Sequence, residues 1–320
     1  MKTIKNSIPN PFPYSDSNKR YHSYDYAMRM KYGGKCAKAI LDAGFTCPNI
    51  DGTCGKGGCI YCSGAGSGDF TLPYLSLRDQ FDAQKEIMSA KWDVAAWIPY
   101  LQAHTNTYAP VSRLRQVYDE ILSWKETRGL SIATRADCLD DDVLELLCEV
   151  SHRTDLTVEL GLQTASEETA RLIRRGHSYE AFLEGYGRLR RYVPACRIGI
   201  HIINGLPGEE EEQMLQTASE VAALAPDEVK IHLLHVMGGT PLLSWLEDGR
   251  YRPMERDDYV RITVKQLELL PMKTVMGRLT GDAPADLLAA PLWSLKKLEV
   301  LNQIDILMKK ENTWQGRLAK

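Results

Sequence analysis

The chain has 320 residues, 42 acidic and 39 basic side chains, a net charge of -3, and 44% hydrophobic against 25% charged residues. That balance excludes a disordered or fibrous chain, and the length suffices for one large α/β domain or two smaller ones. No apolar run reaches transmembrane length, and the opening MKTIKNSIPNPFPYSD lacks the apolar core of a signal peptide; a cytoplasmic protein without a membrane partner is expected.

In chain order, residues 1–35, rich in Pro, Asn, Ser and Tyr, read as an N-terminal arm. Residues 1–40 hold eight Lys or Arg against two Asp, and residues 292–320 hold six against three acids, so both termini are locally basic and suited to phosphate contacts. From residue 36 apolar segments of strand type alternate with segments of helical period: AILDAGFTC, AAWIPYLQAHTN, LSIATRA, LTVELGLQT, CRIGIHIINGLP and EVKIHLLHVM are the strands. Helices are expected at 76–90 and 140–152, each opened by a capping Ser or Asp, and at 209–224, where four Glu suit the positive end of the helix dipole. Six strands alternating with helices imply parallel pairing and right-handed crossovers, hence a curved α/β sheet or partial barrel over 36–245 with functional loops at the strand C-terminal ends. Residues 246–320 read as a helical extension packed beside that sheet, chiefly DDYVRITVKQLELL and WSLKKLEVLNQIDILMKK.

The stretch CPNIDGTCGKGGCIYC, residues 47–62, interrupts this pattern with four of the eight cysteines. In a reducing compartment such thiols read as metal or redox ligands rather than disulfides. Its glycines let the backbone curl at positive φ, and Pro48 bars a regular continuation. Four ligands would make a closed zinc site; three would hold a [4Fe-4S] cluster with one iron open. Spacing alone leaves both readings standing. The remaining cysteines, Cys36, Cys138, Cys148 and Cys196, lie in apolar or periodic segments and read as small buried side chains.

The loop follows the first strand of a β/α array, has one Cys-x2-Cys pair where a zinc ribbon uses two, and carries an aromatic residue, Tyr61, before its last cysteine. In this it resembles the radical S-adenosylmethionine (SAM) superfamily. The run CPNxDGTxGxGGCxxC, followed by ELGLQT, RRGH, HxxNGLPGE and HLLHVxxGTxL, is similar to the YhcC/YtqA-type radical SAM proteins, whose core resembles the radical SAM domain of the Elongator catalytic subunit. These matches run from about residue 36 to 245, roughly two thirds of the chain.

The resemblance implies a partial (β/α)6 barrel and the cluster ligands Cys47, Cys59 and Cys62. It leaves Cys54 as a free loop thiol, since a fourth ligand would close the open iron. It implies SAM as second cofactor, contacted through Tyr61. Gln163 and Arg175 match a Gln and an Arg that touch SAM in oxygen-independent coproporphyrinogen oxidases, the Arg gripping its carboxylate. His201 matches a ribose-contacting acid there, and Gly205 opens a GLPGE turn that approaches adenine. From the residues themselves, Glu159 is an acid inside an apolar strand, which argues for a partner such as a ribose hydroxyl. His235 and Val236 lie near the same strand end as adenine or substrate contacts. In the superfamily a Gly-Gly-Glu-like segment holds the SAM amino group; here that place reads QAHTNTYAP, and Thr105, Asn106 and Thr107 are the available acceptors. Arg135 and Asp137 close the third strand, facing substrate or pairing with each other.

The implied activity is reductive cleavage of SAM to a 5'-deoxyadenosyl radical that abstracts hydrogen, with electrons from a donor such as flavodoxin or ferredoxin. The Elongator resemblance and the basic termini make tRNA base modification the first substrate expectation. A small-molecule or protein substrate is the alternative within the class. An iron-sulfur or zinc protein that only binds or transfers electrons is the alternative outside it.

Overall fold

The computed structural model describes residues 9–66 and 68–319; Lys2, Lys5 and Lys320 of the two basic stretches lie outside them. Strands β1 (Lys35–Leu41), β2 (Val94–Leu101), β3 (Gly129–Thr134), β4 (Asp155–Gln163), β5 (Arg197–Asn204) and β6 (Glu228–Leu233) pair in that order, all parallel, and β8 (Val275–Arg278) adds a seventh parallel strand beside β6. The sheet curves into a half-barrel, as the alternation of strands and helices implies. A two-stranded antiparallel ribbon, β7 (Val236–Met237) with β9 (Leu288–Ala290), follows β6.

Helices α1 (Tyr24–Tyr32), α2 (Leu77–Ser89), α3 (Val111–Leu122), α4 (Asp141–Ser151), α5 (Glu167–Leu172), α6 (Tyr179–Tyr192), α7 (Glu211–Leu224), α8 (Pro241–Glu247), α9 (Arg256–Leu269) and α10 (Lys297–Lys310) complete the chain. Ser76 caps α2 by accepting from the Asp79 amide, and Glu210 with Gln213 forms a capping box on α7, which explains why those two boundaries were readable.

Two boundaries differ from expectation. The first strand ends at Leu41 rather than running to Cys47, because Gln80 of α2 takes over the next peptide: Asp42 N–H donates to Gln80 Oε1 and Gln80 Nε2 donates to the Asp42 carbonyl, both at 2.9 Å. The C-terminal extension is not purely helical, since it supplies β8. That strand has four residues and contains Gly277, whose place no side chain can take: a Cβ there would lie 2.1 Å from Glu228 Oε1.

The two faces of the sheet differ. Leu156, Val158, Leu160 and Leu162 of β4 join Leu144, Leu147, Phe182 and Leu189 of α4 and α6 in the main core. Thr157, Glu159, Gly161 and Gln163 alternate with them and point to the barrel interior, as period-2 geometry requires. The strands are therefore apolar toward the helices and polar inward, not apolar on both faces.

Candidate radical SAM site

The cysteine loop is built on local backbone bonds. Ile50 N–H donates to the Cys47 carbonyl at 2.8 Å, Cys54 to Pro48 at 2.8 Å, Gly58 to Asn49 at 2.9 Å and Cys62 to Cys59 at 3.0 Å. Gly57 and Gly58 take φ of 78° and 79°, the curl the sequence anticipates. Ile60, fully buried, pins the Cys59–Cys62 turn to the barrel: its N–H donates to the Ile173 carbonyl at 3.0 Å and its carbonyl accepts from Leu242 at 2.9 Å. Its side chain packs in a second apolar cluster with Ile173, Leu206, Leu234, Val236, Leu242 and Tyr251, separate from the main core.

Three thiols share one electrostatic neighbourhood. Burial, then the charges of Cys59 and Cys47, push the Cys62 thiol far up, and burial likewise pushes up Cys59, on which Cys47 also acts. Thiols that resist ionising next to one another need a cation to become ligands, and a metal cluster supplies that charge. Cys47, Cys59 and Cys62 are half-buried, whereas Cys54 is exposed and is not among the charges raising Cys62. Among the described residues no three His, Cys, Asp or Glu side chains are arranged to hold a metal ion; what suits a cluster is the donor chemistry of Cys47, Cys59 and Cys62, half-buried thiols that act on one another.

Of the expected residues, Tyr61 and Val236 share the apolar cluster around Ile60, and Arg175 lies within electrostatic reach of Tyr61 and Cys59. Tyr61 packs on the second apolar cluster, of which Val236 is a buried member; burial and the nearby thiols push its hydroxyl up. Gly205 takes φ of 83° and its carbonyl accepts from Tyr251 at 2.8 Å. Gln163 ends β4 in a register slip with φ of 68°, unusual for a residue with a side chain. Arg175, expected to grip a carboxylate, is buried with its guanidinium on backbone carbonyls. Nη1 donates to Leu162 at 2.6 Å and Thr164 at 2.5 Å, and Nε and Nη2 donate to His177 at 3.2 and 3.0 Å. Arg135 and Asp137 pair with each other, and Arg135 also donates to the Arg175 carbonyl at 2.8 Å.

The segment after β2 and His235 make the following contacts. Asn106 latches the segment after β2, its Nδ2 donating to the Leu101, Ala103 and Ala133 carbonyls, while its buried Oδ1 has no partner among the described residues. Thr107 donates to the Cys138 carbonyl, and Thr105 N–H to that of Thr46. His235 packs on Gly281 with Nε2 buried and without a hydrogen-bond partner among the described residues, and burial lowers its imidazole to about 4.

Glu159 and His201 belong to an ion cluster inside the barrel. The Glu159 carboxylate accepts from Lys38 of β1 at 2.5 Å, from His201 of β5 at 2.7 Å and from Lys230 of β6. Burial opposes its ionisation, but Lys230, Lys38 and His201 outweigh it and hold the carboxyl well below its usual range. Burial lowers Lys230 to about 8 against the pull of Glu159. Tyr100 lies under both ammonium groups, 4.5 Å from Lys230 and 5.1 Å from Lys38 to the ring centre. Lys38 and Lys230 were missed from sequence. The rule applied to Glu159, that a charge inside an apolar strand needs a partner, applies equally to KCAKAIL and EVKIHL and would have found them.

The comparisons with known proteins follow this geometry. Residues 50–221 match the family model described as radical SAM superfamily, and residues 226–310 match the radical SAM C-terminal domain. The chain belongs to the radical SAM superfamily. It is 46% identical over 309 residues to YtqA of Bacillus subtilis (strain 168), covering 96% of this chain and 95% of that protein. It is 34% identical over 277 residues to protein YhcC of Escherichia coli (strain K12), covering 86% and 88%. A tRNA uridine(34) acetyltransferase of Dehalococcoides mccartyi (strain CBDB1) is 25% identical over 71% of this chain and 44% of its own length. The solved structure of Methanocaldococcus infernus Elp3 with an N-terminal deletion superposes with a TM-score of 0.63 at 18% identity, covering 88% of this chain and 64% of that one; it shares the half-barrel fold. This radical SAM protein is an enzyme of the YhcC/YtqA type whose cofactors are a [4Fe-4S] cluster and SAM. No helix of the described residues is long and apolar enough to cross a membrane.

Proposed function

We propose that this radical SAM enzyme cleaves SAM reductively and abstracts hydrogen from a tRNA nucleoside. A cluster held by Cys47, Cys59 and Cys62 would supply an open iron for SAM and the electron that releases a 5'-deoxyadenosyl radical. The chain's own residues then have three tasks. Ile60 and its apolar neighbours hold the loop and exclude water, Gln163 and Gly205 offer polar and backbone contacts at the strand ends, and Arg175 fixes the backbone that carries Gln163. The observation that carries this reading is that Cys47, Cys59 and Cys62 are half-buried thiols that act on one another electrostatically, while Cys54 is exposed. Anaerobically reconstituted protein should bind about four irons and release 5'-deoxyadenosine from SAM when reduced; a colourless zinc protein, or an iron protein inert toward SAM, would reject it.

The tRNA part is supported by relatives named as tRNA uridine(34) acetyltransferases, less than half of whose length this chain covers. Among the described basic residues near the N-terminus, Lys19, Arg29, Lys31, Lys35 and Lys38 each pair with an acid and Arg20 is buried on Asn312 and two carbonyls, so these six do not add to that support. Nucleoside analysis of tRNA from a deletion strain tests the substrate, and unchanged nucleosides would remove it. The charged interior around Glu159 favours a second reading, a small polar substrate, because two ammonium groups and a carboxylate inside the barrel suit polar rather than apolar guests.

A further inference from the structure

We propose that Asn49 is a positioning residue that raises the reduction potential of the cluster through an N–H···S hydrogen bond to Cys59, an inference that rests on the radical SAM reading. The side chain is 3% exposed. Its Nδ2 lies 3.5 Å from Cys59 Sγ and 2.6 Å from the Arg174 carbonyl, so one amide group reaches both the cluster ligand and the turn that follows α5.

The amide occupies a slot made by two missing side chains. A Cβ on Gly55 would lie 2.2 Å from Asn49 Oδ1, and one on Gly176 would lie 2.6 Å from it. The far wall is itself held, because Arg135 donates to the carbonyls of Arg175 at 2.8 Å and Gly176 at 3.3 Å. The Asn49 carbonyl accepts from Gly58 next to Cys59. Backbone and side chain of Asn49 thus fix the Cys59 end of the loop from both directions.

A donor aimed at a ligand sulfur stabilises the state with more negative charge on the cluster. Reduction adds an electron, so the reduced state gains more from the N–H than the oxidised one and the potential rises. Asn suits this place better than a cation, because it donates without adding charge beside Arg135 and Arg175.

The test is an EPR-monitored redox titration of the reconstituted full chain, with iron content measured in parallel. Asn49→Leu removes the donor, Asn49→Asp replaces it with an acceptor, and Gly55→Ala crowds the amide out while leaving it in the sequence. All three should shift the midpoint to more negative values, Asn49→Asp furthest. A midpoint equal to wild type in Asn49→Leu with full iron content overturns the inference alone, whereas wild-type protein that binds no iron overturns the radical SAM reading and this inference with it. Where a variant loses its cluster, the wild type decides: with ¹⁵N in the asparagine side-chain amides, pulsed EPR of the reduced cluster should detect a ¹⁵N coupling, and its absence overturns the proposal.

Discussion

Arg175 holds Gln163 by the peptides on either side of it, one guanidinium nitrogen donating to the carbonyls of both Leu162 and Thr164. Gln163 sits at φ of 68°, a conformation most side chains avoid, and the two bonds compensate for it. Lysine, with a single nitrogen, cannot also hold the His177 carbonyl, to which Nε and Nη2 donate. Arg175→Lys should lower stability by about 2–4 kcal/mol, from two charge-assisted hydrogen bonds lost, and weaken SAM binding at least tenfold by equilibrium dialysis. Gln163→Gly should keep stability, since glycine tolerates the positive φ, yet bind SAM as poorly. Wild-type SAM affinity in both variants would refute the assignment.

The four loop cysteines should divide three to one. Alanine at Cys47, Cys59 or Cys62 should abolish bound iron and 5'-deoxyadenosine release, because each removes one of three ligands. Cys54→Ala should retain both within about twofold, since that thiol is exposed and apart from the others. Iron assay and chromatography of the nucleoside read the outcome, and loss of iron in Cys54→Ala would mean a fourth ligand.

Ile60 should be the mechanical anchor of the same loop. It is fully buried in the second apolar cluster, and the loop's ties to Ile173 and Leu242 run through its backbone. Ile60→Ala removes the packing and leaves a cavity, at a cost of about 2–5 kcal/mol. Urea unfolding should report that loss, and iron should leave the variant faster than wild type under a chelator.

What was legible in the sequence follows from how local each cause is. Strands β2 to β6 carry apolar residues dense enough to mark them, and α2 and α7 carry their caps in neighbouring residues, so short windows suffice. The end of β1 depends on Gln80, 38 residues away, and β8 is a strand only through its pairing with β6, a partner outside its own short window. The site divides the same way. The cysteine set is local and readable, but Arg175 bonds to carbonyls, which every residue has, so composition cannot say that its donors face backbone rather than SAM. The partners of Glu159, Lys38 and Lys230, reach it from β1 and β6 across the barrel and so lie outside any short window.

Acid should destabilise the fold through two half-buried histidines held neutral. His235 and His177 are both lowered to about 4, each by burial first, against an unfolded value of about 6.5. Between those values the unfolded chain binds protons that the folded chain refuses, so stability is full above about pH 6.5 and falls as pH drops toward 4. Over the range from pH 7 to 5 each should account for about 2 kcal/mol. Urea midpoints from pH 7 to 5 should fall accordingly, and His235→Asn should flatten the slope; an unchanged slope would mean that His235 is not held neutral.

The ion cluster inside the barrel should be strongly non-additive. Glu159 accepts from Lys38, Lys230 and His201 and is 1% exposed. Glu159→Gln leaves two ammonium groups facing each other in the interior, with Glu228, 3.6 Å from Lys38, as the nearest remaining acid paired to either. Breaking a buried pair from one side costs about 3–5 kcal/mol, whereas replacing both partners by neutral groups of similar volume is often tolerated. Glu159→Gln with Lys230→Met should therefore be more stable than Glu159→Gln alone, because Lys38 keeps Glu228 and the unpaired cation is gone. Urea unfolding of the single and double variants closes the cycle, and a double variant no more stable than Glu159→Gln would show that the two residues do not act as a pair. Hydrogen abstraction offers a separate readout. If the cluster only fills the barrel, the double variant should still release 5'-deoxyadenosine at the wild-type rate, and if it also receives a polar substrate, that basal rate should persist while turnover of substrate is lost.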